Sequence, residues 1–285
     1  MDWTSGAAKR SWCGDFYSCR EKESLNMDHK SKKGSNIYQQ IGDFWSFQLN
    51  NEIYLRNHPE IKRGTKEYFN IILDSRKSFI YYFPLMISHL KKAPNKTLLE
   101  VGCGMGTDSL VLTKNGFDII GIDLSSGHLE LAKKLFRLFT QKGSFMQGNA
   151  EILPFPDNSF GCVYSYGVLH HTPNTENSIK EIFRVLLPGG HAVIMLYHKW
   201  SLNNLVHCLL KEGFENVKND IDTPITYRFS KTEVRNMCSD FKSCDIKTEY
   251  LYGPGWGRIY NATPKPLYFA LSKIVGWHLV VYLEK

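Results

Sequence analysis

The sequence lacks a closely spaced cysteine pair, a long apolar run and an apolar leader segment. Its 7 cysteines form no C-x-x-C pair, so neither a disulfide framework nor a zinc site is indicated, and we expect no metal ion. The most apolar stretch, residues 267–283, is interrupted by Lys273 and His278 and is too polar to cross a bilayer. Acidic residues occur among the first positions where a leader would be apolar. We therefore expect a cytoplasmic chain with free thiols and no transmembrane segment.

A strong net charge is also missing. The 285 residues carry a formal charge of +7, from 35 basic and 28 acidic side chains, and the basic residues form no run beyond the segment 30–33. This balance favours an ordinary solvated surface, so we expect no nucleic-acid partner. Hydrophobic residues make up 42% of the chain and aromatic residues 13%, which is enough for a packed core.

What the sequence does contain is a set of glycines placed directly after an apolar segment. Residues 98–101 read L-L-E-V, and Gly102, Gly104 and Gly106 follow at alternate positions before a helical pattern begins. A strand, tight turn and helix of this kind bring bare backbone N–H groups against a ligand, because no side chain stands between them. The segment therefore predicts a ligand-binding turn.

A second apolar segment, residues 119–122, leads into Asp123. A carboxylate at the end of a buried strand can bind both hydroxyls of a ribose, although capping of the next helix would explain the same residue. A dinucleotide fingerprint needs a third glycine where Thr107 stands, and no lysine follows in the P-loop register. Together the two segments predict a nucleoside-containing ligand without phosphates.

These motifs, E-V-G-C-G-x-G-T followed by G-I-D-L-S, resemble those of the class I S-adenosylmethionine (SAM)-dependent methyltransferases. The resemblance covers residues 97–200, and the segment 151–160 is similar to the corresponding loop of small-molecule members with a type 11-like domain. It implies SAM as the cofactor and a Rossmann-like α/β fold, namely a doubly wound sheet of seven strands with an antiparallel last strand, plus N-terminal helices.

The periodicity of the chain predicts the same alternation of strands and helices. We expect strands near 97–101, 118–123, 144–148, 161–165 and 192–196, and helices near 107–115, 125–139 and just before the segment 188–190. This alternation of strands and helices predicts a parallel, doubly wound sheet with right-handed crossovers. Ser230 and Glu233 form a capping-box pattern, and strands at 243–251 and 277–283 would form an antiparallel edge.

Composition divides the chain into three parts. Residues 1–35 are polar and without periodicity, which predicts a disordered tail. Residues 36–95 have a helical pattern rich in aromatic residues, and residues 96–285 hold the SAM-binding domain that the resemblance implies. The aromatic residues of the middle part either pack as core or form a lid over the cofactor. The lid candidates are Tyr38, Phe44, Trp45, Tyr68 and Phe69.

The resemblance assigns cofactor contacts to the ends of the strands. Glu100 and the turn 102–106 would surround the methionine part, although Glu100 could also be an ordinary strand-end acid. Asp123 would bind the ribose, and the backbone near Tyr166 would bind the ammonium group. Asn149 stands where relatives usually carry an acid, so its contact with adenine would be neutral. The full set of cofactor candidates is Glu100, Gly102, Cys103, Gly104, Gly106, Asp123, Leu124, Asn149, Ala150, Glu151 and Tyr166.

Three histidines near the ends of the fourth and fifth strands are candidates for a general base: His170, His171 and His198. A histidine can accept a proton from a hydroxyl, an amine or an activated carbon acid at neutral pH. Two adjacent side chains on a short helix cannot face the same way, so one of residues 170 and 171 is expected to be structural. Arg76 would either hold the cofactor carboxylate or face solvent.

We therefore hypothesise a SAM-dependent methyltransferase that moves a methyl group to an O, N or C atom of a small-molecule acceptor. The aromatic flanks favour an apolar acceptor, such as a quinone-like or lipid-like molecule. Two competing hypotheses stay open. One is an NAD(P)-dependent oxidoreductase, which the phosphate-free turn disfavours, and the other is a non-catalytic SAM-binding partner subunit.

Overall fold

A computed structural model describes residues 36–47, 55, 58, 60–210, 223–253 and 256–285. Residues 38–285 group into one compact unit. The predicted tail, residues 1–35, lies outside the described residues. Within the described ranges, no helix has both the length and the apolar character that crossing a membrane requires.

A mixed sheet of seven strands lies at the centre of the unit 38–285. The strands are β1 (Thr97–Val101), β2 (Asp118–Asp123), β3 (Ser144–Gln147), β4 (Phe160–Tyr166), β5 (Leu186–Tyr197), β6 (Ser243–Glu249) and β7 (His278–Glu284). Their order is β3-β2-β1-β4-β5-β7-β6. Strands β1 to β5 are parallel, and β7 pairs antiparallel with both β5 and β6. This topology confirms the predicted fold class, including the antiparallel last strand.

The reversed direction of β7 brings its first residue to the functional edge of the sheet. Because β7 runs against β5, His278 pairs with Tyr197, the last residue of β5. The carboxyl ends of the parallel strands, which form the usual ligand edge of such a sheet, therefore lie beside the amino end of β7.

Helices follow the strands as the periodicity predicts. They are α1 (Ile37–Phe47), α2 (Lys66–Phe79), α3 (Phe83–Leu90), α4 (Thr107–Lys114), α5 (Ser126–Leu138), α6 (Thr175–Val185), α7 (Leu202–Leu210), α8 (Lys231–Met237), α9 (Arg258–Ala262) and α10 (Lys265–Val275), with a 3-10 turn at Leu169–His171. Both predicted caps are confirmed. The Ser125 hydroxyl accepts the N–H of His128, and Ser230 and Glu233 form the capping box.

The sheet is covered on both faces. Alternate residues of β5 separate into two core clusters, with Ile194 packed on the side of α6 and Val193 packed on the side of α3. Burial of a strand on both faces is typical of parallel sheets between helix layers. The run of apolar residues in β5 therefore reflects two cores rather than one.

One strand begins earlier than the sequence predicts. We expected β5 near 192–196, after a break at 188–190, but the strand starts at Leu186. Leu186 pairs with Phe160, and the register shifts before His191 pairs with Cys162. Gly189 adopts a left-handed φ of 71° within this irregular part. The Pro-Gly-Gly segment therefore distorts the strand rather than preceding it.

The aromatic residues of the N-terminal segment divide between two roles. Tyr68 and Phe69 of α2 are fully buried in a core cluster with Leu110 and Phe136. These two rings are therefore core, and the prediction of a lid is wrong for them. Tyr38 and Trp45 of α1 line the cavity described below.

Candidate active site

A cavity of about 250 Å³ opens at the carboxyl ends of the parallel strands. Its volume lies just below the usual range for small-molecule sites. The cavity runs along the sheet from β2 to β7, which are four strand spacings or roughly 19 Å apart. Residues of β1, β2, β4 and β5, together with α1 and α2, contribute to its lining. It is therefore long enough across the strands for two groups to bind side by side.

The glycine turn forms one wall of this cavity. The Gly102 N–H donates to the Ile122 carbonyl oxygen at 2.8 Å, and a Cβ on Gly102 would lie 2.3 Å from the Val168 side chain. At Gly104, where φ is 51°, the nearest atom to a Cβ would be Nδ1 of His128 at 4.0 Å. The Val168 side chain therefore leaves no room for a Cβ at position 102. At position 104 there is room for a Cβ, and glycine leaves the backbone uncovered towards the cavity. Gly102, Cys103 and Gly104 line the cavity, and Gly106 begins α4 behind it.

The carboxylate of Asp123 connects the glycine turn to the next helix. One oxygen accepts the N–H of Gly104 at 2.8 Å, and the other accepts the N–H of Ser125 at 2.8 Å. The side chain lines the cavity. Both interpretations of Asp123 therefore have structural support, because it orders the start of α5 while it presents a charge at the cavity wall.

The loop after β3 places only part of the predicted adenine site at the cavity. Leu124, Asn149 and Ala150 line it, and the Asn149 side-chain oxygen accepts the N–H of Glu151 at 2.9 Å. Glu151 is not among the described residues that line the cavity. Its carboxylate accepts the Tyr38 hydroxyl at 2.9 Å and a backbone N–H at 2.8 Å. The structure thus places Glu151 behind the site, where it holds α1 against the loop.

Two buried acids and one arginine lie beside the turn. Arg76 donates to both carboxylate oxygens of Asp108, at 2.5 and 2.6 Å, and the Tyr164 hydroxyl donates to Asp108 at 2.9 Å. Burial disfavours the charge of Arg76, but Asp108 outweighs burial and raises the pKa of the guanidinium. Arg76 is therefore largely buried in an ion pair at the cavity wall rather than facing solvent.

Glu100 is the second buried acid, with only 3% of its surface exposed. It accepts a short hydrogen bond from the Ser109 hydroxyl. Burial, followed by the nearby charge of Asp108, raises the pKa of Glu100 well above its usual value. A cationic group bound beside it would favour its ionised form, because opposite charges lower a carboxyl pKa.

The three candidate bases occupy different surroundings. His171 lines the cavity, and its Nδ1 lies 2.8 Å from the carbonyl oxygen of Ile225. His170 is fully buried, with its ring 3.8 Å from the Tyr197 ring, and His198 bonds through Nδ1 to the Gly276 carbonyl oxygen at 2.9 Å. Of the three candidates, only His171 is among the described residues that line the cavity. The expectation that one of the adjacent pair is structural agrees with this placement.

Sequence reasoning missed the wall at the β7 side of the cavity. We call this the inner wall; its residues are Phe79, Tyr166, Met195, Tyr197 and His278. Tyr166 was expected to contribute only its backbone, yet its hydroxyl hydrogen-bonds with Tyr82 at 2.5 Å. Nothing in the local sequence links His278 to Tyr197, 81 positions earlier, because the antiparallel pairing of β7 with β5 creates that contact.

The charges at the cavity are mainly acidic. Among the described lining residues the carboxyl groups belong to Glu100, Asp108 and Asp123, and Arg76 supplies the guanidinium, which is already paired. A pyrophosphate would meet carboxylates in this cavity where it needs unpaired donors and positive charge. The cavity instead suits a ligand that carries cationic groups.

Comparison with known proteins agrees with this geometry. Residues 99–194 match the family model described as a methyltransferase domain. Phosphoethanolamine N-methyltransferase 2 of Caenorhabditis elegans is 32% identical over 155 residues, which are 46% of this chain and 35% of that protein. Demethylmenaquinone methyltransferase of Lactococcus lactis subsp. lactis is 40% identical over 102 residues, or 34% of this chain and 40% of that protein. The matches thus cover well under two thirds of these relatives.

A solved structure extends the similarity to most of the fold. Geranyl diphosphate C-methyltransferase of Streptomyces coelicolor A3(2), solved with Mg²⁺, geranyl diphosphate and S-adenosyl-L-homocysteine, superposes with a TM-score of 0.56 at 13% identity. The superposition covers 89% of this chain and 98% of that chain. The sheet therefore has the fold of the class I SAM-dependent methyltransferases, and residues 99–194 match the model of a methyltransferase domain.

Proposed function

We propose that this protein is a methyltransferase that uses SAM and acts on a small, largely apolar acceptor. The observation that carries the proposal is the combination of a bare glycine turn, a wall carboxylate at Asp123 and an acidic cavity in which Arg76, the one lysine or arginine among the described lining residues, is already paired with Asp108. SAM carries an ammonium and a sulfonium group and no phosphate. The same features disfavour the nicotinamide dinucleotides, which carry a pyrophosphate.

The residues present fit the parts of the cofactor. Asp123 would bind the ribose hydroxyls in charge-assisted hydrogen bonds, and Leu124, Asn149 and Ala150 would surround the adenine. Glu100 and the backbone of residues 102–104 would hold the methionine part. Arg76 would assist at its carboxylate while it stays paired with Asp108. In this proposal Gly106 supports the turn from behind, and Glu151 holds the loop.

The protein's part in catalysis would be alignment and exclusion of water. Bound SAM supplies a methyl group whose bond to sulfur breaks as its bond to the acceptor forms, leaving a neutral thioether. Tyr38, Ile41 and Trp45 of α1 cover the cavity on one side, which keeps water out and holds the acceptor in line. The α1 helix is held there by the hydrogen bond between the Ser46 and Ser125 hydroxyls at 2.8 Å.

We further propose that His171 receives the proton that the methyl acceptor loses during the transfer. The Ile225 carbonyl oxygen can only accept a hydrogen bond, so Nδ1 of His171, 2.8 Å away, carries the ring proton. Nε2 is then the basic nitrogen. For an acceptor O–H or N–H, the proton would pass to Nε2 as the new bond to carbon forms.

Equilibrium binding and methyl transfer test the proposal. SAM, S-adenosylhomocysteine and NADH are titrated by calorimetry, and tritiated SAM is incubated with an organic-solvent extract of cells before mass spectrometry of labelled products. We expect SAM and S-adenosylhomocysteine to bind and label to appear in a small molecule. Asp123→Asn should weaken both ligands about 10- to 100-fold, since it removes charge-assisted hydrogen bonds.

The matched control is Asp118→Asn, at the exposed amino end of the same strand. It should leave both affinities unchanged. Tight binding of NADH without SAM would overturn the proposal in favour of an oxidoreductase. Tight binding of SAM without transfer to any acceptor would favour the non-catalytic partner subunit.

A further inference from the structure

Two tyrosines and a histidine form a hydrogen-bonded cluster at the inner wall. The Tyr82 hydroxyl lies 2.5 Å from the Tyr166 hydroxyl and 2.6 Å from Nδ1 of His278, and the Tyr166 hydroxyl lies 3.1 Å from the same Nδ1. The three residues come from α3's N-terminal cap, β4 and β7. Tyr166 and His278 line the cavity, and Tyr82 is buried behind them.

The cluster leaves one polar atom of His278 for a ligand. In the described part of the chain, the hydrogen bonds of the ring all go to Nδ1. His278 is 2% exposed by surface area, yet it lines the cavity. A neutral imidazole has one donor and one acceptor nitrogen, so Nε2 is available to a group bound at the inner wall.

The surroundings of His278 keep its ring uncharged. Burial, and then the charge of Arg76, lower the pKa of His278 to about 3. The Arg76 guanidinium carbon lies 5.1 Å from the centre of the Tyr166 ring. A cationic group at this wall would therefore find no ionised partner in the cluster.

The remaining surface of the inner wall is apolar and aromatic. The Phe79 ring lies 5.6 Å from the His278 ring, and Tyr197 stacks near His278 at 6.3 Å. Met195 completes the wall. The Tyr197 ring stacks between His170 and Trp277, and His278 stacks on Tyr250. Aromatic ring edges and a thioether suit an aromatic, largely apolar ligand, with Nε2 as a polar contact.

We propose that the inner wall recognises an uncharged hydroxyl group on an aromatic acceptor, through a hydrogen bond with Nε2 of His278. This rests on the proposed function, because the acceptor must lie beside the cofactor in the same cavity. Tyr82 is a positioning residue in this proposal. It touches the ring of His278 and fixes its orientation without lining the cavity.

Three probes that share a naphthalene ring test whether the inner wall recognises a hydroxyl group. They are 2-naphthol, naphthalene and 2-naphthylmethylamine, and the amine is cationic at neutral pH. Their binding is measured by equilibrium dialysis against full-length protein saturated with S-adenosylhomocysteine, so no transfer is needed. We expect 2-naphthol to bind about tenfold more tightly than naphthalene, the value of one good hydrogen bond. The amine should bind no better than naphthalene.

Variants identify the residue responsible. His278→Phe should reduce the preference for naphthol over naphthalene to less than twofold, and Tyr82→Phe should reduce it partly by loosening the ring. The matched control is His191→Phe, a largely buried histidine at the opposite end of neighbouring strand β5, which should keep the full preference. Binding of S-adenosylhomocysteine verifies that each variant is folded; if His278→Phe is not, Tyr82→Phe decides, and an unchanged preference for naphthol in it would overturn the proposal.

The possible failures are distinguishable. Loss of S-adenosylhomocysteine binding in the unmodified protein would contradict the proposed function itself. Normal binding of S-adenosylhomocysteine with equal affinity for 2-naphthol and naphthalene would overturn the inner-wall proposal alone. A preference for naphthol that survives in His278→Phe, or tighter binding of the amine than of naphthol, would also overturn it.

Discussion

Arg76 and Asp108 meet in a two-point ion pair that joins α2 to the first turn of α4, directly behind the glycine turn. Asp108 is 3% exposed, so the carboxylate of this pair is buried. Breaking such a pair is costly, because it leaves the other charge buried without a partner. The N-terminal segment is thereby fixed to the cofactor side of the sheet.

The first prediction concerns this ion pair. Asp108→Asn should lower the free energy of unfolding by about 3 kcal/mol, since Arg76 would keep a buried charge. The double variant Arg76→Met, Asp108→Asn should lose less than the sum of the two single changes. Urea denaturation measures all three. Asp74→Asn, which breaks the exposed pair with Lys77, is the control and should cost less than about 1 kcal/mol.

The second prediction separates the two glycines of the turn. Gly102→Ala would place a methyl group 2.3 Å from Val168, so it should destabilise the fold by about 2–4 kcal/mol, from overpacking and left-handed strain. Val168→Ala in the same chain should recover part of this loss. Thermal unfolding of the unmodified protein, Gly102→Ala and the double variant measures these differences in stability.

Gly104→Ala should behave differently, because its methyl group would meet no atom closer than 4.0 Å. It should cost about 1–2 kcal/mol from its positive φ alone, as should Gly116→Ala, where φ is 92° and nothing lies within 4 Å. Gly104→Ala should also weaken S-adenosylhomocysteine binding at least tenfold, whereas Gly116→Ala should not. Equal affinities in the two variants would contradict a cofactor role for the bare turn.

The third prediction links cofactor binding to a proton. The raised pKa of Glu100 keeps this carboxyl largely protonated below that pKa, and a bound ammonium group would favour ionisation. Binding should then release protons, and affinity should rise with pH until Glu100 is ionised in the unliganded protein. Calorimetry in two buffers of different ionisation enthalpy counts the protons. Glu100→Gln should abolish the release, and Glu130→Gln, at an exposed position, should retain it.

The fourth prediction concerns stability at low pH. The pKa of His278 is lowered to about 3 in the folded protein, against about 6.5 in an unfolded chain. The unfolded state therefore binds more protons between these values, so stability is full above about pH 6.5 and falls as the pH drops towards 3. His278 contributes a slope of up to about 1.4 kcal/mol per pH unit. Urea denaturation at several pH values should show a smaller slope for His278→Phe and an unchanged slope for substitution of the half-exposed His58.

Local sequence signals were sufficient for the sheet and for one half of the cavity. The turn at 102–106, the wall acid Asp123 and the cap at Ser125 lie within short segments whose spacing is set by strand and helix geometry. Their positions follow from the chain's own periodicity, and the structure brings all three together. The parallel part of the confirmed fold class follows from the same repeated strand and helix units, and the antiparallel last strand was implied by the family resemblance.

The other half of the cavity depends on contacts between distant segments. Arg76 reaches Asp108, Tyr82 reaches His278, and Glu151 turns away from the cavity to bind Tyr38. No local pattern encodes such pairs, because they result from how α1, α2 and β7 pack against the finished sheet. The same reason explains why Tyr68 and Phe69 could not be assigned to core or lid from their helical spacing.

The position of β7 has a consequence for synthesis on the ribosome. This strand follows β6 in the chain, yet it lies between β5 and β6 in the sheet. Until residues 278–284 leave the exit tunnel, β6 has no neighbour to join and the wall that holds His278 does not exist. A nascent chain can thus assemble the part of the cavity that holds the glycine turn and Asp123 early, while the inner wall forms only after β7 has been translated.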